Sequence, residues 1–189
     1  MQDQPYFVHP HALVETESIG EGTRIWAFAH VMKGAVVGKN CNICDHSFVE
    51  SNVTVGDGVT IKNGVAIWDG VSLGDNVFVG PNAVFTNDRN PRAEVKKGRD
   101  QFVPTTVLEG ASIGANVTVV CGVTVGSYAF IGAGTVVIRD VPAYGLIVGN
   151  PARQVGFMCE CGKKLPPSLS CACGYRFERD GDALRRIGA

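Results

Sequence analysis

No stretch of about 18 apolar residues occurs anywhere in this chain, so no membrane-crossing helix is written into it. An excess of charge of either sign is also missing. With 17 Lys plus Arg against 18 Asp plus Glu, there is no general field to attract nucleic acid or anionic lipid, and no polyanionic partner is expected. The opening Met1-Gln-Asp-Gln-Pro-Tyr6 lacks the basic start and apolar core of a signal peptide, which points to a cytoplasmic protein. Histidine is scarce. The four residues His9, His11, His30 and His46 all precede position 50, which confines imidazole chemistry to the first part of the chain.

What the chain has in plenty is glycine, 24 residues without a collagen period, which implies many tight turns. It also has a period of six. Branched apolar residues recur at Leu13, Ile19, Ile25, Val31, Val37, Ile43, Val49, Val55, Ile61, Ile67, Leu73, Val79 and Phe85, and again at Val107, Ile113, Val119, Val125, Ile131 and Val137. Four residues after each stands a small or β-branched residue, such as Thr23, Ala29, Ala35, Val53, Ala83 or Thr135, with Glu17 the main exception. Neither a 3.6-residue helix nor a long alternating strand has this period. Short strands joined by sharp corners do. A six-residue unit cannot bury its own apolar side chain, so the units must stack into an all-β solenoid. With three sides per coil, nineteen units make about six coils, and a prism roughly 30 Å long at ~4.8 Å per strand.

The hexapeptide pattern resembles that of the left-handed parallel β-helix acyltransferases, over residues 13 to about 155. The resemblance, not the period, implies the left hand, a homotrimer, and acyl-coenzyme A held in clefts between adjacent prisms. It divides the chain into a β-helix domain, 1–155, and a Cys-rich tail, 156–189.

The period fails once, in a polar loop over 86–106. A long loop without secondary structure in a compact domain is usually functional, and here it is expected to reach a neighbouring subunit. Counting by eighteen stacks Lys33, Ser51, Asp69 and Asn87 in one outward column. If the loop replaces one corner, the column runs on through Cys121 and Arg139.

Several longer stretches are more specific than the repeat: Arg24-Ile-Trp-Ala-Phe-Ala-His30, Gly80-Pro-Asn-Ala-Val-Phe-Thr-Asn87, Asn90-Pro-Arg92, Val119-Val-Cys-Gly-Val-Thr-Val-Gly126 and Val148-Gly-Asn-Pro-Ala-Arg-Gln154. They are similar to the 3-amino-sugar N-acetyltransferases that use acetyl-coenzyme A on UDP- or dTDP-linked sugars for surface polysaccharides, such as the UDP-2-acetamido-3-amino-2,3-dideoxyglucuronate type. That resemblance implies a nucleotide-sugar substrate and places Asn87 at the reacting amine, with Asp69 as its catalytic neighbour. It implies substrate contacts at Trp26, His30, Asn82 and Arg92, and cofactor contacts at Cys121, Gly132, Arg139, Pro151 and Arg153. His30, like His46, is expected at a corner. Lys96, Lys97 and Arg99 lie near Arg92, and such cations suit a sugar acid or phosphates. No His lies in the loop. A neutral amine needs a base less than a hydroxyl does, so positioning is expected to carry catalysis. A covalent acetyl-Cys121 is the minor alternative.

The tail carries Cys159-Glu-Cys161-Gly and Cys171-Ala-Cys173-Gly. Four thiolates can hold a structural zinc at ~2.3 Å, though ribbon motifs usually have two residues between paired cysteines and these have one. Free thiols are the alternative. Three rival readings of the whole chain stay open: a sugar O-acetyltransferase, a γ-type carbonic anhydrase-like prism, and a non-enzymatic scaffold.

Overall fold

A computed structural model describes residues 5–188, and its prism has three faces built from strands mostly two residues long. The first face stacks β1 (Phe7–Val8), β3 (Arg24–Ile25), β6 (Asn42–Ile43), β9 (Thr60–Ile61), β12 (Phe78–Val79), β15 (Ser112–Ile113), β18 (Phe130–Ile131) and β20 (Gly145–Val148), all parallel. The second holds β2 (Leu13–Val14), β4 (His30–Val31), β7 (Phe48–Val49), β10 (Ala66–Ile67), β13 (Val84–Phe85), β16 (Thr118–Val119) and β19 (Val136–Val137). The third holds β5 (Val36–Val37), β8 (Thr54–Val55), β11 (Val71–Leu73), β14 (Thr105–Val107) and β17 (Thr124–Val125). Single bridges Ile19↔Val37 and Val125↔Val141 extend the third face at both ends. This is a left-handed parallel β-helix. Its first face has eight parallel rungs where the repeat predicts six, because Phe7–Val8 and Gly145–Val148 add rungs outside the recognised units.

Each rung buries one aliphatic side chain, and Ile25, Ile43, Ile61 and Ile113 are wholly inaccessible. Small residues from the turns, such as Ala29, Ala35 and Ala111, fill the space between them. The third residue after each aliphatic turns the corner with positive φ, as at Asn40 (54°), Asn82 (57°) and Gly70 (88°). Glycine after the aliphatic has a different cause. A Cβ on Gly38 would lie 2.6 Å from the carbonyl carbon of Gly56 one coil on, so only glycine lets successive coils approach.

The structure corrects the sequence reading in four places. The first coil is a residue short: Val8 pairs with Ile25 and Val14 with Val31, seventeen apart, where Ile25 and Ile43 are eighteen apart. Val14 therefore points inward and Leu13 is 54% exposed. For the same reason Thr16, not Glu17, is buried, and its Oγ1 donates to the Ala35 carbonyl at 2.7 Å. The strand after the loop resumes at Thr105, so the excursion is 86–104 and not 86–106. His30 lies in β4, not at a corner, whereas His46 does turn one with φ 58°.

Beyond the prism, β21 (Arg153–Phe157) folds back antiparallel on β20 and covers the last strand edge of the first face. The division expected at 155/156 falls inside this strand. A hairpin of β22 (Arg176–Asp180) and β23 (Ala183–Gly188) follows. Tyr144 of the prism packs with Phe157, Cys159, Leu165, Cys171, Phe177 and Leu184 as a second, smaller core. No described helix is long and apolar enough to cross a membrane.

Candidate active site

Ladder pairing fixes the outward column. Ala66 pairs with Val84, Phe85 with Val119, and Val119 with Val137, which sets Asp69 beside Asn87, Asn87 beside Cys121, and Cys121 beside Arg139. The step from Phe85 to Val119 is 34 residues, the coil's 18 plus a 16-residue insert, so the loop replaces one corner as the sequence condition required.

The foot of the loop is tied to the prism by its backbone. The Val103 N–H donates to the Asn87 carbonyl at 2.9 Å, Thr105 N–H to Gly70 at 3.1 Å, and Gly122 N–H to Pro104 at 3.0 Å. From this foot the loop folds back over its own column. Arg99 Nε lies 3.4 Å from Asp69 Oδ2, and Asn52 Nδ2 donates to that oxygen at 3.2 Å. The Asp69 N–H donates to Glu50 Oε2 at 2.8 Å. Asp69 is thus nearly buried, with one carboxylate oxygen held and Oδ1 left without a hydrogen bond among the described residues. The Asn87 side chain likewise makes no hydrogen bond among the described residues, and it is half-buried.

The loop cations divide by task. Lys97 Nζ binds the Asp88 carboxylate and donates to the Asn90 carbonyl at 3.0 Å, clasping the neck of the loop. The Lys97 hydrogen bond, followed by the Asn90 N–H, holds the Asp88 carboxyl below the usual carboxylate range. Arg99 is committed to Asp69. Arg92 and Lys96 stand exposed without an ion pair among the described residues.

Cys121 has no accessible surface. Its N–H donates to Thr86 Oγ1 at 2.9 Å and its carbonyl accepts from Arg89 Nε at 3.3 Å, so its thiol is closed to a covalent acetyl transfer.

The Trp26 and His30 pair lies elsewhere. Trp26 packs at a tilt against Phe7, with ring centroids 5.5 Å apart, and donates Nε1–H to Asn42 at 2.7 Å. His30 Nε2 meets Glu15 Oε2 at 3.1 Å and its ring abuts Phe48 at 5.3 Å. Phe48 packs on Trp68 at 5.4 Å, and Trp68 immediately precedes Asp69. Along the second face β4 is three rungs from β13, so His30 lies about 14 Å from Asn87 along the axis at ~4.8 Å per rung. No histidine of this chain reaches the Asn87 amide. Asn82 turns the corner between the first and second faces, a whole face away from Asn87.

At the far end of the column, Arg139 donates to the Ala152 carbonyl at 3.3 Å. A cavity of about 370 Å³ opens there among Arg139, Val141, Pro142, Ala152, Gln154 and Asp182. Pro151, in a cis peptide, and Arg153 are exposed next to it. Gly132 has a packing role of its own, since a Cβ there would lie 3.0 Å from Val148 Cγ1.

The four tail cysteines converge: their sulfurs all lie within 4.8 Å of one another, the one group of this kind among the described residues. The histidines form no such group within the described chain.

Sequence reasoning missed Phe48 and Trp68, and it named Arg99 only as a cation near Arg92, not as the partner of Asp69. Phe48 was legible, because it lies eighteen after His30 on the same face. Arg99 was not, because the loop has no period to place it.

A model of the bacterial transferase hexapeptide family (six repeats) matches residues 18–51, 52–87 and 104–139, leaving out the loop. The dTDP-3-amino-3,6-dideoxy-alpha-D-galactopyranose 3-N-acetyltransferase of Aneurinibacillus thermoaerophilus is 53% identical over 91% of this chain and 90% of its own length. A hexapeptide-repeat acetyltransferase of Vibrio cholerae O1 biovar eltor, solved with acetyl coenzyme A, is 26% identical with a TM-score of 0.51, over 75% of this chain and 72% of that one. PerB of Caulobacter crescentus, solved with CoA and GDP-perosamine, is 24% identical with a TM-score of 0.46, over 79% of this chain, which spans 58% of its length.

Proposed function

The chain belongs to the bacterial hexapeptide-repeat transferases, and on that premise we propose that it transfers the acetyl group of acetyl-coenzyme A to the 3-amino group of a nucleotide-linked sugar. The observation that carries this reading is the site at the break in the prism, where an unpartnered Asn87 amide and a half-satisfied Asp69 carboxylate stand on adjacent rungs with no histidine in reach. The 53% identity to a dTDP-linked 3-amino-sugar acetyltransferase over almost the whole of both chains supports it and favours dTDP over UDP.

In the reaction the sugar nitrogen attacks the thioester carbonyl, the new C–N bond forms, and the C–S bond breaks. The nitrogen loses one proton and the departing coenzyme A sulfur gains one. Asn87 accepts a hydrogen bond from the amine through its side-chain carbonyl and aims the nitrogen lone pair at the thioester. Asp69 Oδ1 receives the ammonium form on arrival, and the extra proton of that form passes to solvent before the neutral amine attacks. Arg99 and Asn52 hold the carboxylate in place, so proximity and orientation carry most of the acceleration. A hydroxyl acceptor would need a base more than an amine does, and no histidine among the described residues stands there.

Trp68 and Phe48 offer an aromatic surface beside Asp69 for the nucleotide sugar, with Arg92 able to meet its phosphates. Coenzyme A runs from the Asn87 column toward Arg139, with Pro151 and Arg153 at its far end. A homotrimer fits this path. Val84 and Ile138, outward beside the column, are 49% and 57% exposed and suit a cleft closed by a second copy. Both substrates are cytoplasmic metabolites, which sets the enzyme there. The test is thiol release from acetyl-coenzyme A with dTDP- and UDP-linked 3-amino sugars. Turnover of one amine, falling about 100-fold in kcat for Asn87→Ala, is expected. Turnover of hydroxyl acceptors only would overturn the amine assignment.

A further inference from the structure

Two turns of the C-terminal tail repeat one another. In the first, Gly162 N–H donates to the Cys159 carbonyl at 2.8 Å and Cys159 N–H to Lys163 at 2.8 Å. In the second, Gly174 N–H donates to Cys171 at 3.0 Å and Cys171 N–H to Tyr175 at 2.8 Å. Each turn ends on a positive-φ glycine, Gly162 at 80° and Gly174 at 103°. The sulfur contacts cross between the turns with the same symmetry. Cys159 meets Cys173 and Cys161 meets Cys171, both at 3.5 Å.

A tetrahedral ion with ~2.3 Å bonds to sulfur requires its ligands about 3.8 Å apart, and all four sulfurs here lie within 4.8 Å of one another. Disulfides would need sulfurs at about 2.05 Å. Apolar packing accounts for the buried Cys159 and Cys171 but not for the exposed Cys161 and Cys173 turning their sulfurs to the same point. We propose that Cys159, Cys161, Cys171 and Cys173 form a closed tetrathiolate site for one structural zinc ion. With four protein ligands and no open position the ion has no catalytic role, and binding releases the thiol protons to solvent.

The ion's task follows from Glu160, the residue between the first two ligands. Glu160 Oε1 accepts a hydrogen bond from Tyr144 of the prism at 2.9 Å, and Oε2 accepts one from Arg186 of β23 at 2.7 Å. Locking the turn around zinc fixes a side chain that ties the hairpin to the prism end. Tyr144 itself stacks on Tyr128 at 5.4 Å and meets Phe177 edge-on at 5.0 Å. The tail is short for a self-sufficient core, and small units of this size usually need such a staple.

The test is elemental analysis of the full chain purified without chelator, followed by cobalt substitution. About one zinc per chain is expected, and cobalt should give the intense thiolate charge-transfer and d–d bands of a tetrahedral sulfur site. Cys161 and Cys173 are exposed, so Cys161→Ser and Cys173→Ser should lose most of the metal while the prism stays folded. Chelation of the wild-type chain should open residues 158–188 to protease and leave the prism intact. Four thiols that react freely in metal-free native protein, a pair of disulfides by mass, or iron in place of zinc would each overturn the assignment. None of these outcomes depends on acetyl transfer.

Discussion

The prism and the tail solve the same burial problem by opposite means. In the prism one aliphatic residue per rung goes inside, and every rung is covered by the next, so stability accumulates along the axis. Ile61 is wholly buried between the rungs before and after it. The tail has no period and no stack. Its core is Phe157, Leu165, Phe177 and Leu184 around Tyr144 and two of the cysteines, held by a hydrogen-bond junction at Glu160. A repeat spreads its stability over many equal contacts, whereas the tail concentrates its own in a few unequal ones.

Truncations on either side sharpen that contrast. Ile61→Ala leaves a cavity in a stack that cannot collapse sideways, costing about 4 kcal/mol and lowering the main thermal transition. Phe177→Ala removes a similar volume at a cost of about 3 kcal/mol, but should free the tail to protease and leave that transition in place. If Phe177→Ala lowers the main transition as much as Ile61→Ala, the two regions form one cooperative unit. Glu160→Gln is smaller: weakening its contacts with Arg186 and Tyr144 should cost about 1 kcal/mol, read as faster amide exchange in β22–β23 with none in the prism.

The loop clasp gives the smallest effect. The folded state lowers the Asp88 carboxyl, so its contribution is present above the unfolded carboxylate value and is lost as pH falls through the lower, folded one. The Asp88 to Lys97 contact should therefore outlast the ordinary carboxylate value of about 4 and release only at a lower pH, where the folded carboxyl itself takes up a proton. Amide exchange across 88–98 should then rise before any prism amide does. A loop whose protection is unchanged at that pH would mean the Lys97 clasp does not hold it.

Most of the prism could be read directly because its period acts as a ruler. Eighteen residues advance one coil, so Asp69 and Asn87 could be lined up from the sequence, and Cys121 and Arg139 on the condition that the loop replaces one corner. The ruler failed where it was interrupted without notice. One missing residue between Val14 and Ile19 turned Leu13 outward and Thr16 inward, and nothing in the local residues marks the deletion. In the loop, the sequence shows Lys96, Lys97 and Arg99 as equivalent cations. The fold separates Lys97 to the neck and Arg99 to Asp69, because closing the loop brings together residues 30 positions apart in the sequence.

By itself the sequence determined the solenoid, the place of its single interruption and the column that passes through it. Each follows from the need of a six-residue unit to bury one side chain against its neighbours. Only the tertiary structure decided that Cys121 is sealed, that His30 lies three rungs from Asn87, and that four tail sulfurs converge. Those facts depend on distances across the chain, and a one-dimensional period carries such distances only along its own axis.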